Sequence, residues 1–131
     1  MKRMIPILLI MTLLLTGCAA PRPAAKANTY RQITMQEAIE MMEKEENYII
    51  LDVRTHEEFA SGHIPGAMVI PNETIGTEEI AQLPHKDQLI MVYCRSGNRS
   101  KQASDKLVKL GYTNIVEFGG IIDWPGEIVT D

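Results

Sequence analysis

Cysteine, basic charge and long apolar runs are all scarce in this chain, and each shortage closes off a class of protein. The two cysteines, Cys18 and Cys94, permit one disulfide at most. Three histidines, His56, His63 and His85, show no metal-ligand spacing, so no metal and no cofactor are expected. Lys and Arg number 13 against 17 Asp and Glu, for a formal net charge of −4. A nucleic-acid binder would present a basic face, so no nucleic acid is expected as a partner. An acidic balance names no substrate; it keeps a protein soluble. No apolar run reaches the roughly 20 residues of a comfortable membrane span, and no internal repeat is visible. What remains is ordinary: 131 residues, 45% hydrophobic and 23% charged. That length and composition describe one globular domain.

The first residues read as an address. Lys2 and Arg3 make a short positive region, and residues 5–15 are apolar but for Pro6 and Thr12. This fits the core of a signal peptide. Leu15-Thr16-Gly17-Cys18 follows at once and resembles the lipobox of bacterial lipoproteins. The resemblance implies a leader over residues 1–17, cleavage before Cys18 and a diacylglyceryl group on the Cys18 sulfur. Residues 18–29, rich in Ala and Pro, then read as an extended tether. The expected location is extracytoplasmic, with the protein lipid-anchored on the periplasmic or outer face of a cell membrane. The alternative is an uncleaved anchor or an ordinary signal peptide. If Cys18 carries lipid, Cys94 is left as a lone thiol, which is unusual enough in an exported protein to need a reason.

The domain is expected over residues 30–131. Residues 30–33 read as a short edge strand. Thr34 with Glu37 three residues on is a capping box, and Ala38, Ile39, Met41 and Met42 supply the apolar stripe of a helix. Tyr48-Ile49-Ile50-Leu51-Asp52-Val53 is a continuous apolar run, the pattern of a buried parallel strand. Thr55 caps a helical turn over residues 56–60. Residues 68–70 and 89–93 read as further strands, with a short helix over residues 77–83 stopped by Pro84. Residues 100–110 are amphipathic, with Gly111 as the expected terminator. Residues 114–118 form a last strand, broken by Gly119-Gly120. Strands alternating with helices argue for an α/β fold with a mostly parallel central sheet flanked by helices.

The chemistry concentrates in Cys94-Arg95-Ser96-Gly97-Asn98-Arg99-Ser100, between an apolar strand and a helix. A thiol reacts as its thiolate. Backbone N–H groups of a tight loop can converge as an anion-binding nest, and a helix N-terminus adds free N–H groups and its positive dipole end. Arg95 and Arg99 contribute charge, Gly97 contributes backbone freedom, and Ser96 and Ser100 can donate hydroxyl hydrogen bonds. Such a setting stabilises a thiolate or the terminal sulfur of a persulfide. The loop itself holds no His, Asp or Glu to serve as base, so catalysis is expected to depend on electrostatics and a nucleophilic sulfur.

These residues resemble the rhodanese family of sulfurtransferases. The resemblance also covers Leu51-Asp52-Val53-Arg54, Glu58-Phe59, Gly62-His63-Ile64-Pro65-Gly66-Ala67, and Gly119-Gly120 followed by Trp124. It implies a single rhodanese-like α/β domain. Cys94 would be the nucleophile and persulfide carrier, taking a sulfane sulfur from thiosulfate or a persulfide donor and passing it to cyanide, a thiol or a protein acceptor. Residues 95–100 would form the binding loop, with Arg99 and the backbone N–H groups holding the anionic group. Asp52 and Arg54 would brace the loop region without taking part in chemistry. Related phosphatases place five residues between their cysteine and arginine; here four separate Cys94 from Arg99. The tighter loop suits a sulfur atom, the wider one a phosphate. The expected partners are the small sulfur donor, the acceptor, and the membrane through Cys18, with the protein acting as a monomer. A non-catalytic, membrane-tethered binding or regulatory module is the alternative, which the presence of the cysteine and both arginines disfavours.

Overall fold

The computed structural model describes residues 29–131. The expected leader over residues 1–17, the lipidation site Cys18 and all of the tether but Thr29 lie outside the described residues.

Five apolar segments become strands: β1 (Arg31–Gln32), β2 (Tyr48–Asp52), β3 (Met68–Val69), β4 (Leu89–Cys94) and β5 (Ile115–Gly120). Among the described residues they form one sheet in the order β1-β5-β4-β2-β3, and every pairing is parallel. Parallel neighbours require crossovers. Helix α1 (Met35–Lys44) links β1 to β2, α2 (His56–Ser61) links β2 to β3, and α3 (Asn98–Lys109) links β4 to β5. The expected α/β architecture with a parallel sheet is therefore the one observed.

The sheet is covered on both faces, which is why β2 and β4 carry no polar alternation. Side chains alternate sides along a strand. Ile90, Val92 and Cys94 of β4 join Leu51, Ala103, Leu107 and Ile115 in the core beneath α3. Met91 and Tyr93 join Ala38, Ile50, Ile64 and Phe118 in the core on the α1 side. Central β4 is thus buried from Ile90 to Cys94, and its carboxyl end, where Cys94 sits, is surrounded by structure. Each Val, Leu, Ile, Phe or Met side chain fully removed from water here contributes about 1.5–3 kcal/mol.

Local signals held where they were self-contained. Thr34 and Glu37 form the expected capping box of α1. Thr55 caps α2 and forms a second capping box with Glu58. Gly111, at φ +99°, lets the chain leave α3, and the Tyr112 N–H bonds back to the Leu107 carbonyl at 3.1 Å.

Three expectations are corrected. No helix forms over residues 77–83. Seven residues are too few to nucleate a helix in isolation, and this segment is instead held by tertiary contacts: Leu83 is buried, and its carbonyl accepts from the Tyr112 hydroxyl. Helix α3 begins at Asn98, two residues ahead of the amphipathic segment that opens at Ser100, because Gly97 in the left-handed region turns the chain directly into the helix. Its buried stripe accordingly starts with Ser100 and runs through Ala103, Ser104 and Leu107. Gly119-Gly120 does not break β5, which continues through both glycines. Val92 pairs with Glu117 and Cys94 with Gly120, so the register shifts between the two pairs. β5 spends one more residue than β4 over this step, the signature of a β-bulge. Gly119, at φ +97°, supplies the left-handed residue.

Candidate active site

Cys94 closes β4 at the carboxyl end of the parallel sheet, where open α/β sheets place their sites. Four residues later the chain is already helical, because Gly97 at φ +111° makes the sharp turn that another residue would resist. The turn aims the Gly97 N–H at the Cys94 sulfur, 3.0 Å away. The first turn of α3 lies behind it, so the sulfur rests at the positive end of a twelve-residue helix. The thiol is only 1% exposed, and the Ser100 hydroxyl stands 3.4 Å from its sulfur.

The bulge in β5 forms the floor of the loop. Gly120 lies so close beneath it that an added Cβ would fall 2.0 Å from the Arg95 carbonyl oxygen. The Arg95 carbonyl also accepts from the Ile122 N–H at 3.3 Å. Only a residue without a side chain permits this approach, which gives the Gly-Gly pair a role that a strand break would not explain.

The loop residues divide by position. Gly97 and Ser100 are buried against the sulfur, Arg99 is half-buried, and Arg95, Ser96 and Asn98 are exposed on the rim. The structure thus brings Ser100, but not Ser96, to the thiol. Arg99 is not a free cation awaiting an anion. Its guanidinium meets Glu58 side by side, Nη1 to Oε1 at 2.7 Å and Nη2 to Oε2 at 3.0 Å. The hydrogen bonds from Arg99 hold the Glu58 carboxyl down at about 2, assisted by the Thr55 backbone N–H. Glu58 in turn pushes the Arg99 guanidinium further towards its charged form, and a Cys94 thiolate adds to that. Arg99 therefore reaches the loop as a fixed charge, anchored to the start of α2.

Asp52 and Arg54 brace the segment that carries this anchor. Both are buried. The Arg54 Nε and Nη2 atoms donate to the Asp52 carboxylate at 2.6–3.0 Å, and Nη2 also donates to the Gly62 carbonyl at 2.7 Å. Tyr93, the neighbour of Cys94, stacks 5.8 Å from the Arg54 guanidinium and accepts the Ile64 N–H on its hydroxyl at 3.2 Å. Their contacts run to the α2–β3 connection and not to the sulfur. His63 is a satisfied turn residue: its Nδ1 lies 2.9 Å from the Phe59 carbonyl, with the two rings stacked.

Two residues escaped the sequence reading. Asn72 sits buried in a 3₁₀ turn (Asn72–Thr74) and ties α3 down through Gln102 and Lys106. Glu117 lies under the loop, 1% exposed, and accepts from Ser100 Oγ at 2.7 Å and from the Gly119 N–H at 2.9 Å. A signal for Glu117 existed: in Ile115-Val116-Glu117-Phe118 it shares the parity of Ile115, and so the face turned to α3.

A family model described as the rhodanese-like domain matches residues 34–126. A sulfurtransferase of Allochromatium vinosum is 40% identical over 80 residues, covering 60% of this chain and 73% of that protein. The thiosulfate sulfurtransferase PspE of Escherichia coli is 34% identical over 73 residues, covering 56% of this chain and 70% of that protein. Among solved structures, a rhodanese-related protein from Thermoplasma volcanium superposes with a TM-score of 0.65 at 30% identity, covering 78% of this chain and all of that one.

Proposed function

The chain belongs to the rhodanese-like domain family, and we propose that it is a sulfurtransferase that carries a sulfane sulfur on Cys94. The donor is thiosulfate or a persulfide, and the acceptor is cyanide, a small thiol or a thiol on a partner protein. The observation that carries this reading is the sulfur of Cys94 held 3.0 Å from the Gly97 N–H at the N-terminus of α3. That position stabilises negative sulfur twice over, first as thiolate and then as the persulfide anion.

The steps balance without a cofactor. The Cys94 thiolate attacks the outer sulfur of thiosulfate; a new S–S bond forms, the donor's S–S bond breaks, and sulfite leaves with its electron pair. Cys94–S–S⁻ remains. An acceptor thiolate or cyanide then attacks the terminal sulfur, and Cys94 departs as thiolate. The two relatives named for sulfur transfer support this class of reaction. The short loop supports sulfur over a tetrahedral phosphate.

We further propose that the domain works as a monomer outside the cytoplasm, held on a membrane by lipid at Cys18. The support is the order of positive region, apolar core and lipobox over residues 2–18. Replacing Cys18 with Ser is expected to leave the precursor uncleaved or to release the protein from the membrane fraction. A fully processed, membrane-bound C18S protein would overturn the anchor.

The sulfur-transfer reading is tested on the full chain purified in detergent. Incubation with thiosulfate, polysulfide or a cysteine persulfide is expected to add one sulfur atom by intact mass. Cyanide or dithiothreitol then removes it, and Cys94→Ser takes up none. If wild type gains no sulfur from any of the three donors, the reading fails and a binding module takes its place.

A further inference from the structure

We propose that Glu117, acting through the Ser100 hydroxyl, takes the proton from the Cys94 thiol and returns it when the cycle closes. The inference rests on the reading of Cys94 as a sulfur-carrying nucleophile and supplies the base that the loop itself lacks.

A carboxylate in this position demands an explanation. Glu117 is 1% exposed, opposite Val92 of β4 and on the same face of β5 as Ile115. Among the described residues no cation stands within ion-pair distance of it. Burying an unpaired carboxylate is unfavourable, because its hydration is lost with no cation to replace it. Two hydrogen bonds compensate, from Gly119 N–H and from Ser100. A neutral Gln would accept both without the charge, so bonding alone does not require an acid here.

The Ser100 oxygen links the acid to the thiol. It lies 3.4 Å from Cys94 Sγ, 2.7 Å from Glu117 Oε1 and 2.9 Å from the Gly97 carbonyl oxygen. A hydroxyl has one hydrogen to give. The carboxylate is the nearer acceptor and the charged one, which makes it the stronger. With that hydrogen directed to Glu117, the Ser100 lone pairs face the Cys94 S–H. The result is a directed line, S–H to O–H to carboxylate.

The other charged and titratable groups around the line come from α2, α3, the 3₁₀ turn at Asn72–Thr74 and the segment before β1. Arg99 of α3 bears on Cys94, with Glu58 of α2 paired to it and Glu73 of the 3₁₀ turn also acting on it. Tyr30, just before β1, interacts with Glu117 and with Asp105 of α3. The Gly97 N–H completes the setting of the sulfur.

The transfer balances. The S–H hydrogen moves to Ser100 Oγ as the Ser100 hydrogen moves to Glu117 Oε1. The S–H electron pair stays on Cys94 as a thiolate lone pair and forms the S–S bond to the donor sulfur. When the acceptor has taken that sulfur, Cys94 is again a thiolate and Glu117 still holds the proton, which returns by the same route. Ser100 touches the reacting sulfur and is a catalytic residue in this scheme. Glu117 is a positioning residue for the proton.

The test uses no sulfur donor. Alkylation of Cys94 by iodoacetamide in the full chain is followed from pH 5 to 10. Two acids sharing one proton titrate as a pair, so wild-type reactivity is expected to rise in two steps with a shallow region between. Glu117→Gln is expected to collapse this to one step, slower than wild type by about tenfold at the acid end and equal or faster at the alkaline end. Ser100→Ala should do the same, and Ser100→Thr should restore two steps. If Glu117→Gln fails to fold by circular dichroism, Ser100→Ala decides by the same criteria. A Gln variant faster than wild type at every pH would mean that the charge only opposes the thiolate, and would overturn the relay. A uniform loss at every pH would mean a structural role and would overturn it equally. A two-step profile in a protein that accepts no sulfur supports the relay while sulfur transfer fails; the converse sinks the relay alone.

Discussion

Arg99 and Glu58, 41 residues apart in the chain, meet in a side-by-side pair at 2.7 and 3.0 Å. The carboxylate is itself held by Thr55, whose backbone N–H lies 3.3 Å from Glu58 Oε1. A helix cap on α2 thereby fixes the direction of an arginine on α3 beside the reactive sulfur.

Removing that anchor separates activity from stability. The pair is about 30% exposed on each side, so Glu58→Gln is expected to cost only about 0.5–1 kcal/mol by urea unfolding. Sulfur loading of Cys94, by contrast, is expected to slow severalfold, because Arg99 is released to wander. The pH dependence has a definite sign. Glu58 is depressed from its ordinary 4.5 to about 2 in the folded protein, so its contribution is present above pH 4.5 and is lost as pH falls towards 2. The melting-temperature gap between wild type and Glu58→Gln should hold steady above pH 5 and close below pH 4.5. A gap unchanged at pH 3 would contradict the assignment.

Gly120 tests the floor of the loop. An Ala Cβ at this position would meet the Arg95 carbonyl oxygen at 2.0 Å, and backbone cannot yield as a flexible side chain can. Gly120→Ala is expected to cost about 1–3 kcal/mol in unfolding free energy and to lift the loop from the sulfur. Sulfur uptake per folded molecule should fall at least tenfold, because the Gly97 N–H no longer reaches Cys94. Gly66→Ala is the control. Its Cβ would meet nothing within 4 Å, so the strain of φ +80° should lower stability and leave uptake per folded molecule intact.

Asp52 and Arg54 are expected to govern folding instead of chemistry. Arg54→Met leaves the Asp52 carboxylate buried and unpaired, at a cost of about 3–5 kcal/mol. Adding Asp52→Asn removes the stranded charge and should recover a large part of that loss in a double-mutant comparison by urea unfolding. The sulfur uptake of the double variant, measured per folded molecule, should stay within twofold of wild type. A loss that survives correction for folding would give the pair a direct part in the reaction.

What the sequence determined by itself lies within a few residues of each signal. The capping boxes at Thr34 and Thr55 close over three positions, so composition and spacing suffice to place them. The apolar runs behind β2 and β4 are long enough to demand burial on both faces, and with the intervening helices they lead to a parallel α/β sheet. Cys94, Gly97 and Ser100 were legible as a loop because one turn of chain contains them. Tertiary structure decided the rest, since it depends on which segments come to lie side by side. Residues 77–83 carry the pattern of a short helix, yet the packing of Leu83 under Tyr112 outweighs a marginal local preference. Gly119-Gly120 reads as a break in isolation; pairing with β4 makes it a bulge that floors the loop. Arg99 reads as a free cation until α2 delivers Glu58. Glu117 reads as one acidic residue in a strand, and only the closing of β5 against β4 and α3 sets its carboxylate 2.7 Å from the Ser100 hydroxyl beside the thiol.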